Sequence, residues 1–251
     1  MAVLDVDDPQ AVAVTAAIRS GDVSALQELL GARPGLAASW IRQEGEAAGT
    51  RSLLHIATDW PGHFPAGSEV IGVLVAAGAD PDARFVGAHR ETPLHWAASN
   101  DDVAAIDALL AAGADIEADG GVIGGGTPLA DARGFGQWRA ARRLVEHGAR
   151  TTLRDEAALG LLDRVRARLT GAAADTADMS RTPDAEDLDG AFRDACHGGH
   201  LATARLLLER GAALDRVGHD GMTPLDIAVA TDADDVAAWL REQGARTGAE
   251  L

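Results

Sequence analysis

Residues 91–98 read Glu-Thr-Pro-Leu-His-Trp-Ala-Ala, and versions of this stretch recur along the chain. Thr92 is a good helix N-cap, because its hydroxyl can accept from a free backbone N–H of the first turn. Pro93 suits the first helical position, where its missing N–H costs nothing. A second helix is predicted from about Val103 and ends near Gly113, since glycine readily adopts the left-handed conformation that terminates helices. One repeat is therefore predicted to be helix, turn, helix and exposed loop.

The same pattern returns at nearly constant spacing, which makes an internal repeat the first interpretation to test. A shift of 35 residues places Thr127-Pro128-Leu129 on Thr92-Pro93-Leu94. Upstream, Leu54-His55-Ile56-Ala57 aligns with residues 94–97, and downstream Thr223-Pro224-Leu225 begins the last repeat. Several Gly-Ala endings, such as Gly78-Ala79, occur in phase with these starts.

These residues resemble the ankyrin repeat, whose signature is Thr-Pro-Leu-His-x-Ala in a unit of about 33 residues. The resemblance covers nearly the whole chain and implies an all-α ankyrin-repeat solenoid. About seven helix-turn-helix repeats, some of them degenerate, would be joined by β-turn-like loops, and each would bury its face on its neighbours. The resemblance also implies that first helices and loops form a concave face that binds other proteins.

The repeat boundaries follow from this alignment and describe a single ankyrin-repeat domain over residues 1–251. The repeats are predicted near 9–49, 50–86, 87–121, 122–153, 154–170, 186–217 and 218–247. The first lacks the Thr-Pro start, as a terminal cap can, and the fifth is degenerate. Residues 171–185 are predicted to be an inserted loop or linker, because they are polar and acidic and contain Pro183.

Composition limits the classes of function and of compartment. The formal net charge is −17, which disfavours nucleic acid and anionic membrane surfaces as partners. No apolar run approaches the length of a membrane span, and the acidic N-terminus does not resemble a secretory signal. A single cysteine, Cys196, suits a reducing compartment. All 22 basic residues are arginine, which with abundant alanine and glycine suggests a bacterial source. We therefore expect a cytoplasmic bacterial protein.

The second repeat carries five extra residues within the segment 58–67, which we call the insert. The insert contains Trp60, His63 and Phe64, which Pro61 and Pro65 would brace. Exposed aromatic side chains held by prolines would offer contact area at low entropic cost. Trp60 could instead fold back onto the helix pair, as large aromatic residues usually do.

The alignment places the exposed ends of the first helices at Ser99 and Asn100 and at their equivalents, including Thr58. Trp96 occupies a position where core packing is favoured over ligand stacking. The predicted binding residues are Asp59, Trp60, His63, Phe64, His89, Arg90, Glu91, Trp96, Asn100, Asp131, Phe135 and His197.

Other chemical features have simpler structural explanations. His55 and His95 hold the family's histidine position, where the ring is expected to hydrogen bond the loop backbone. Cys196 with His197 and His200 supplies only a fragment of a tetrahedral zinc site, so we predict neither a metal nor a cofactor. The glycine run Gly120–Gly126 could cradle an anion with its N–H groups, but a flexible loop is favoured.

The favoured function is a non-catalytic module that binds a protein partner through its concave face. The alternative is a small-molecule-binding protein or an enzyme with a groove pocket beside the insert. Acid–base chemistry would need a carboxylate and a histidine within reach of a bound substrate. The candidates for that alternative are Asp59, His63, Glu91, Asp131 and His197.

Overall fold

A computed structural model describes residues 2–45, 48–171 and 183–251 of the chain. Its backbone contacts divide the chain into two compact parts. We call them the N-terminal region, Met1–Ala149, and the C-terminal region, Arg150–Leu251. Each region is described by itself.

Helices dominate both regions, and the described residues contain seven consecutive helix pairs. The N-terminal region contains α1 (Pro9–Ser20), α2 (Val23–Ala32), α3 (Leu53–Ala57), α4 (Gly67–Ala76), α5 (Pro93–Ser99), α6 (Val103–Ala111), α7 (Pro128–Gly134) and α8 (Trp138–Glu146). The C-terminal region contains α9 (Leu153–Ala158), α10 (Leu162–Leu169), α11 (Ala185–His197), α12 (Leu201–Glu209), α13 (Pro224–Ala230) and α14 (Asp234–Glu242). Short 3-10 turns lie at Leu36–Ala38 and Gly248–Glu250.

The pairs stack like repeats of a solenoid within each region. First helices pack on first helices, as α5 does on α7 and α11 on α13, and second helices pack on second helices, as α4 does on α6. The predicted all-α ankyrin solenoid is confirmed. Its cores are built from small and aliphatic side chains such as Ala97, Ala98 and Ile106, which are fully buried. That composition follows from the low aromatic content of the chain.

The predicted helix starts and stops are also present. Thr92 is the N-cap of α5, and its hydroxyl lies 2.9 Å from His95 Nδ1. The Thr127 hydroxyl accepts from the Ala130 N–H, and the Thr223 hydroxyl accepts from the Asp226 N–H. Pro128 and Pro224 each occupy the first helical position behind these caps. Gly113 follows α6 with φ 91°, the left-handed conformation expected at its end.

A small sheet was not predicted. Strands β1 (Val3–Asp5), β2 (Trp40–Gln43) and β3 (Gly49–Ser52) pair in that order, the first two parallel and the last two antiparallel. Thr50 also pairs with Val86 in the next loop, through both backbone N–H groups. The sheet therefore sets the loop backbone of the second repeat beside that of the third.

The degenerate fifth repeat keeps both of its helices, α9 and α10. Thr152 caps α9 through its hydroxyl without a following proline. The buried Arg168 guanidinium donates to the Glu156 carboxylate at 2.8 and 2.9 Å and to the Thr151 carbonyl oxygen at 2.7 Å. This network joins the two helices where the sequence lacks the repeat signature.

The predicted inserted loop at 171–185 lies largely outside the described residues, which resume at residue 183. Asp184 accepts from the Glu186 and Asp187 N–H groups and caps α11, which begins at Ala185. Residues 183–185 are therefore the approach to α11 and its first turn.

Candidate functional site

The histidines of the repeat signature tie neighbouring loops together, as predicted. The Thr92 N–H donates to His95 Nδ1 at 3.1 Å, and His95 Nε2 donates to the Gly126 carbonyl oxygen at 3.1 Å. His55 repeats this arrangement with the Ser52 N–H and the Glu91 carbonyl oxygen. Burial lowers the pKa of His95 and lowers that of His55 to about 3. Both rings are neutral structural links.

The insert is fastened to both neighbouring repeats by its backbone. The His63 N–H donates to Asp102 Oδ2 at 2.7 Å, and His63 Nε2 lies 3.1 Å from the Asn100 carbonyl oxygen. The Asn100 amide donates to the Thr58 carbonyl oxygen at 2.9 Å. On the other side, a Cβ at Gly21 would lie 2.1 Å from the Pro65 carbonyl oxygen, so only glycine fits this contact. The insert is thus held at both ends.

Because its backbone is held from both sides, the insert can present its side chains to solvent. The Trp60 side chain is 78% exposed, so the alternative in which it folds back onto the helix pair is wrong. Phe64 is half-buried, and Phe135, two repeats further on, is 45% exposed. Trp60, Asn100 and Phe135 hold equivalent positions in successive repeats. We call Trp60, Phe64 and Phe135 the aromatic rim.

Two arginines converge on Asp59 at the start of the insert. Arg19 Nη2 lies 2.7 Å and Arg51 Nη1 lies 3.1 Å from the same oxygen, Oδ2. The other oxygen accepts from the Trp60 N–H. Arg19 also lies over the Phe64 ring, 6.0 Å from its centroid. Asp59 therefore orients the insert and is not a free acid or base.

Trp96 lies half-buried beside this cluster. Its ring meets His55 edge-on with centroids 4.8 Å apart and lies 5.4 Å from Phe85. The Arg51 guanidinium carbon lies over the Trp96 ring, 5.8 Å from its centroid. This is the packing role favoured by the sequence, with part of the ring still open to solvent.

Glu91 and Asp131, both predicted to face a partner, are instead buried. The Asp131 carboxylate accepts from the Val122 N–H at 3.2 Å and from the Ile123 N–H at 2.8 Å. Burial, the larger cause, and the charge of Glu91 raise the pKa of Asp131. The Asp131 carboxylate thus already accepts from N–H groups of the glycine run that could otherwise have bound an anion.

The glycine run Gly120–Gly126 consequently has a defined conformation and is not simply a flexible loop. The Gly120 and Gly121 N–H groups donate to the Gly125 and Gly126 carbonyl oxygens. A Cβ at Gly134 would lie 2.5 Å from the Ile123 side chain, so this run packs directly on α7. The loop covers part of the first helix of its own repeat.

The remaining predicted positions are dispersed. His89 and Arg90 are exposed in the loop before α5, and His197 is half-buried in the C-terminal region. Thr58 was predicted to be exposed, which is wrong: it is fully buried and its hydroxyl donates to the Leu54 carbonyl oxygen. The correct equivalent of Ser99 is Asp59, one residue later.

Three of the five acid–base candidates of the alternative function, Asp59, His63 and Asp131, bond different partners. Asp59 bonds two arginines, His63 bonds Asn100 and Asp102, and Asp131 holds the glycine run. Within the described residues, no group of three or more His, Cys, Asp or Glu side chains could hold a metal ion. Burial raises the pKa of the Cys196 thiol to about 12, which makes it a poor nucleophile.

An open concavity of about 600 Å³ lies between α1 and α2. Alanines dominate its lining, with Ala13, Ala16 and Ala25 among them, and no residue of the insert contributes. It is therefore distinct from the pocket that the alternative function would require.

Sequence reasoning missed Arg19, Asp102 and the approach of Pro65 to Gly21. Arg19 could have been located from the sequence by aligning Gly21, two residues later, with the turn of the third repeat. With φ 70° Gly21 matches Asp101, with φ 54°, at the turn between paired helices. That alignment sets Arg19 level with Ser99, at the exposed end of its first helix.

No helix of the described residues is both long and apolar enough to cross a membrane. A family model for ankyrin repeats in three copies matches residues 54–155, and a second, for ankyrin repeats in many copies, matches residues 192–243. No curated protein is similar enough to the chain to be matched. The two family matches together cover more than half of the sequence and coincide with the stacked helix pairs. The chain therefore belongs to the ankyrin-repeat family.

Proposed function

We propose that the first-helix face of the N-terminal region binds a protein partner, with the aromatic rim as its anchor. Ankyrin repeats are in general protein–protein interaction modules. The observation that carries the proposal is the exposed Trp60 indole on a backbone fastened to both neighbouring repeats. A large aromatic side chain kept in water by a rigid support suits a binding contact better than a packing contact.

The support beneath the rim favours binding without rearrangement. Asp59 bonds the Trp60 backbone, and Asp102 bonds the His63 backbone through carboxylate oxygens. Because these bonds exist before a partner arrives, little loop entropy would be lost on association. Tryptophan is also enriched among the residues that dominate binding energies at interfaces.

The folded glycine run supports placing the binding surface around the second and third repeats. Ile123 packs on α7 at Gly134, so part of the fourth repeat's first helix is already covered by its own chain. The open surface would therefore extend from the insert towards Phe135 and end where the glycine run begins.

Affinity capture with a matched control tests this proposal. The full chain, its Trp60→Ala variant and its Val217→Ala variant would be immobilised and exposed to lysate of the source organism. Val217 is an exposed hydrophobic residue of the C-terminal region and serves as the control. We expect at least one protein to be retained by the wild type and by Val217→Ala but lost by Trp60→Ala. Retention of the same proteins by all three chains would overturn the assignment of the rim.

A further inference from the structure

The concavity between α1 and α2, which we call the end groove, lies on the outer face of the first helix pair. The match of Gly21 with Asp101 aligns this pair with the third repeat and sets Asp22 on Asp102. Asp102 contacts the preceding repeat, because its Oδ2 accepts from the His63 N–H. The end groove is therefore the face on which a further helix pair would stack.

Apolar side chains of the end groove are partly open to solvent where their equivalents are covered. Leu29 is half-buried, whereas its equivalent Leu109 is fully buried in the third repeat, where α4 packs on α6. Ala16 is exposed at the position of Trp96, so the first repeat has open space where the third has an indole ring. The groove of about 600 Å³ can thus admit the side chains of another helix, whose burial would be favourable.

Asp22 shows the same difference in its hydrogen bonds. In both repeats the Oδ1 atom of the aspartate accepts from the N–H three residues later, at 3.0 Å. Asp102 Oδ2 also accepts from the His63 N–H of the preceding repeat at 2.7 Å. Asp22 Oδ2 accepts from none of the described residues, since the Ser24 hydroxyl also donates to Oδ1. One oxygen of Asp22 is therefore available to a donor from another molecule.

The charges of the end groove favour a basic occupant. Asp22 and Glu28 are the charged side chains among its lining residues, and both are exposed. In the part of the chain that the structure describes, neither forms an ion pair with an arginine. Arg19 and Arg33, the arginines of this helix pair, bond other side chains. The net charge of −17 acts in the same direction.

A second copy of the chain fits the end groove poorly. Continuing the stack would set the outer face of α13 and α14 of one copy on the groove of another. Ser68 and Asp101 reach the next repeat through their side chains. The equivalent residues of the last repeat are exposed carboxylates, Asp234 and Asp232. They would lie against Asp22, and repulsion between like charges disfavours that arrangement.

We infer that the end groove binds an amphipathic helix of a partner protein, with lysine or arginine flanking its apolar stripe. Apolar residues spaced three and four apart would pack on Ala16 and Leu29. The basic side chains would donate to Asp22 and Glu28 in charge-assisted hydrogen bonds. The inference does not rest on the aromatic rim, because no residue of the insert lines this groove.

Selection from a library of helix-forming peptides on the immobilised full chain tests the inference. We expect enriched peptides to carry an apolar stripe beside lysine or arginine. A synthetic copy of one would be titrated against the wild type, Ala16→Arg, the double variant Asp22→Asn/Glu28→Gln, and Ala230→Arg. Arginine at position 16 fills the groove and repels a basic peptide, and asparagine can still cap α2. Ala230, an exposed alanine in α13, gives the matched control.

Affinity should fall about tenfold or more in Ala16→Arg and in the double variant, and stay unchanged in Ala230→Arg. Enriched peptides that bind Ala16→Arg as tightly as the wild type, or no enriched peptide, would overturn the inference. If those peptides lose affinity for Trp60→Ala instead, the proposed function still stands. Self-association of the wild type that Ala16→Arg disperses would identify a second copy as the occupant, which also overturns the inference.

Discussion

Acidification should destabilise the N-terminal region through His55, because this ring is wholly buried and neutral. Its Nδ1 accepts from the Ser52 N–H, and its Nε2 donates to the Glu91 carbonyl oxygen. A proton added at Nδ1 would replace this hydrogen bond by repulsion between the new N–H and the Ser52 N–H. It would also place a positive charge among apolar groups. Burial is the main reason that the pKa of His55 falls from 6.5 to about 3.

The size of the effect follows from proton linkage. Since the pKa is lower in the folded state, the stabilising contribution is fully present above pH 6.5 and is lost as the pH falls towards 3. Within that window the free energy of unfolding decreases by about 1.4 kcal/mol per pH unit for this one group. At about pH 5 the loss amounts to about 2 kcal/mol.

Urea unfolding of the wild type and of His55→Gln at about pH 7.5 and about pH 5 measures this contribution. Glutamine retains an N–H donor for the Glu91 carbonyl oxygen but does not titrate. We expect the wild type to lose about 2 kcal/mol more than the variant on acidification. Carboxylates whose pKa is lowered, such as Asp107 and Asp226, lose their contribution only at lower pH. Equal losses in both chains would refute the reasoning.

Three other outcomes follow from buried groups. Arg168→Met leaves the buried Glu156 carboxylate unpaired and should cost about 3–5 kcal/mol in urea unfolding, whereas adding Glu156→Gln should recover much of the loss; a variant as stable as the wild type would contradict this. Asp131→Ala removes the acceptor that holds residues 120–126, so hydrogen exchange of those amides should accelerate, and unchanged protection would count against the proposed anchor. Cys196 should react with a thiol reagent at the rate of unfolding, because burial raises its thiol pKa to about 12; rapid labelling of the native protein would exclude this.

The fold was readable from sequence because its determinants are local. Thr-Pro caps, Gly-Ala endings and the spacing between them act within single turns of helix. The roles of His55 and His95 were also accessible, since each ring bonds the backbone of its own N-cap and that of the next loop. Features that follow from the residues of the repeat signature could therefore be predicted.

Features that depend on residues outside the repeat signature could not. The strand Trp40–Gln43 pairs with residues 3–5 and 49–52, and its short length leaves little periodic pattern to recognise. The burial of Asp131 depends on the glycine run folding back over α7. The sequence of α7 contains no pattern that predicts this contact. The insert could be located by its extra length, but Arg19 and Asp102 become its neighbours only in the folded chain.

The central claim is that the aromatic rim of the N-terminal region is the binding surface. Its most direct test is the affinity of the protein recovered by capture for the wild type and for Trp60→Ala, measured by calorimetric titration. Because Trp60 is exposed, the variant should unfold within about 0.5 kcal/mol of the wild type. We expect the variant to bind about 30-fold more weakly, a loss of about 2 kcal/mol. Equal affinities of the two chains would contradict the claim.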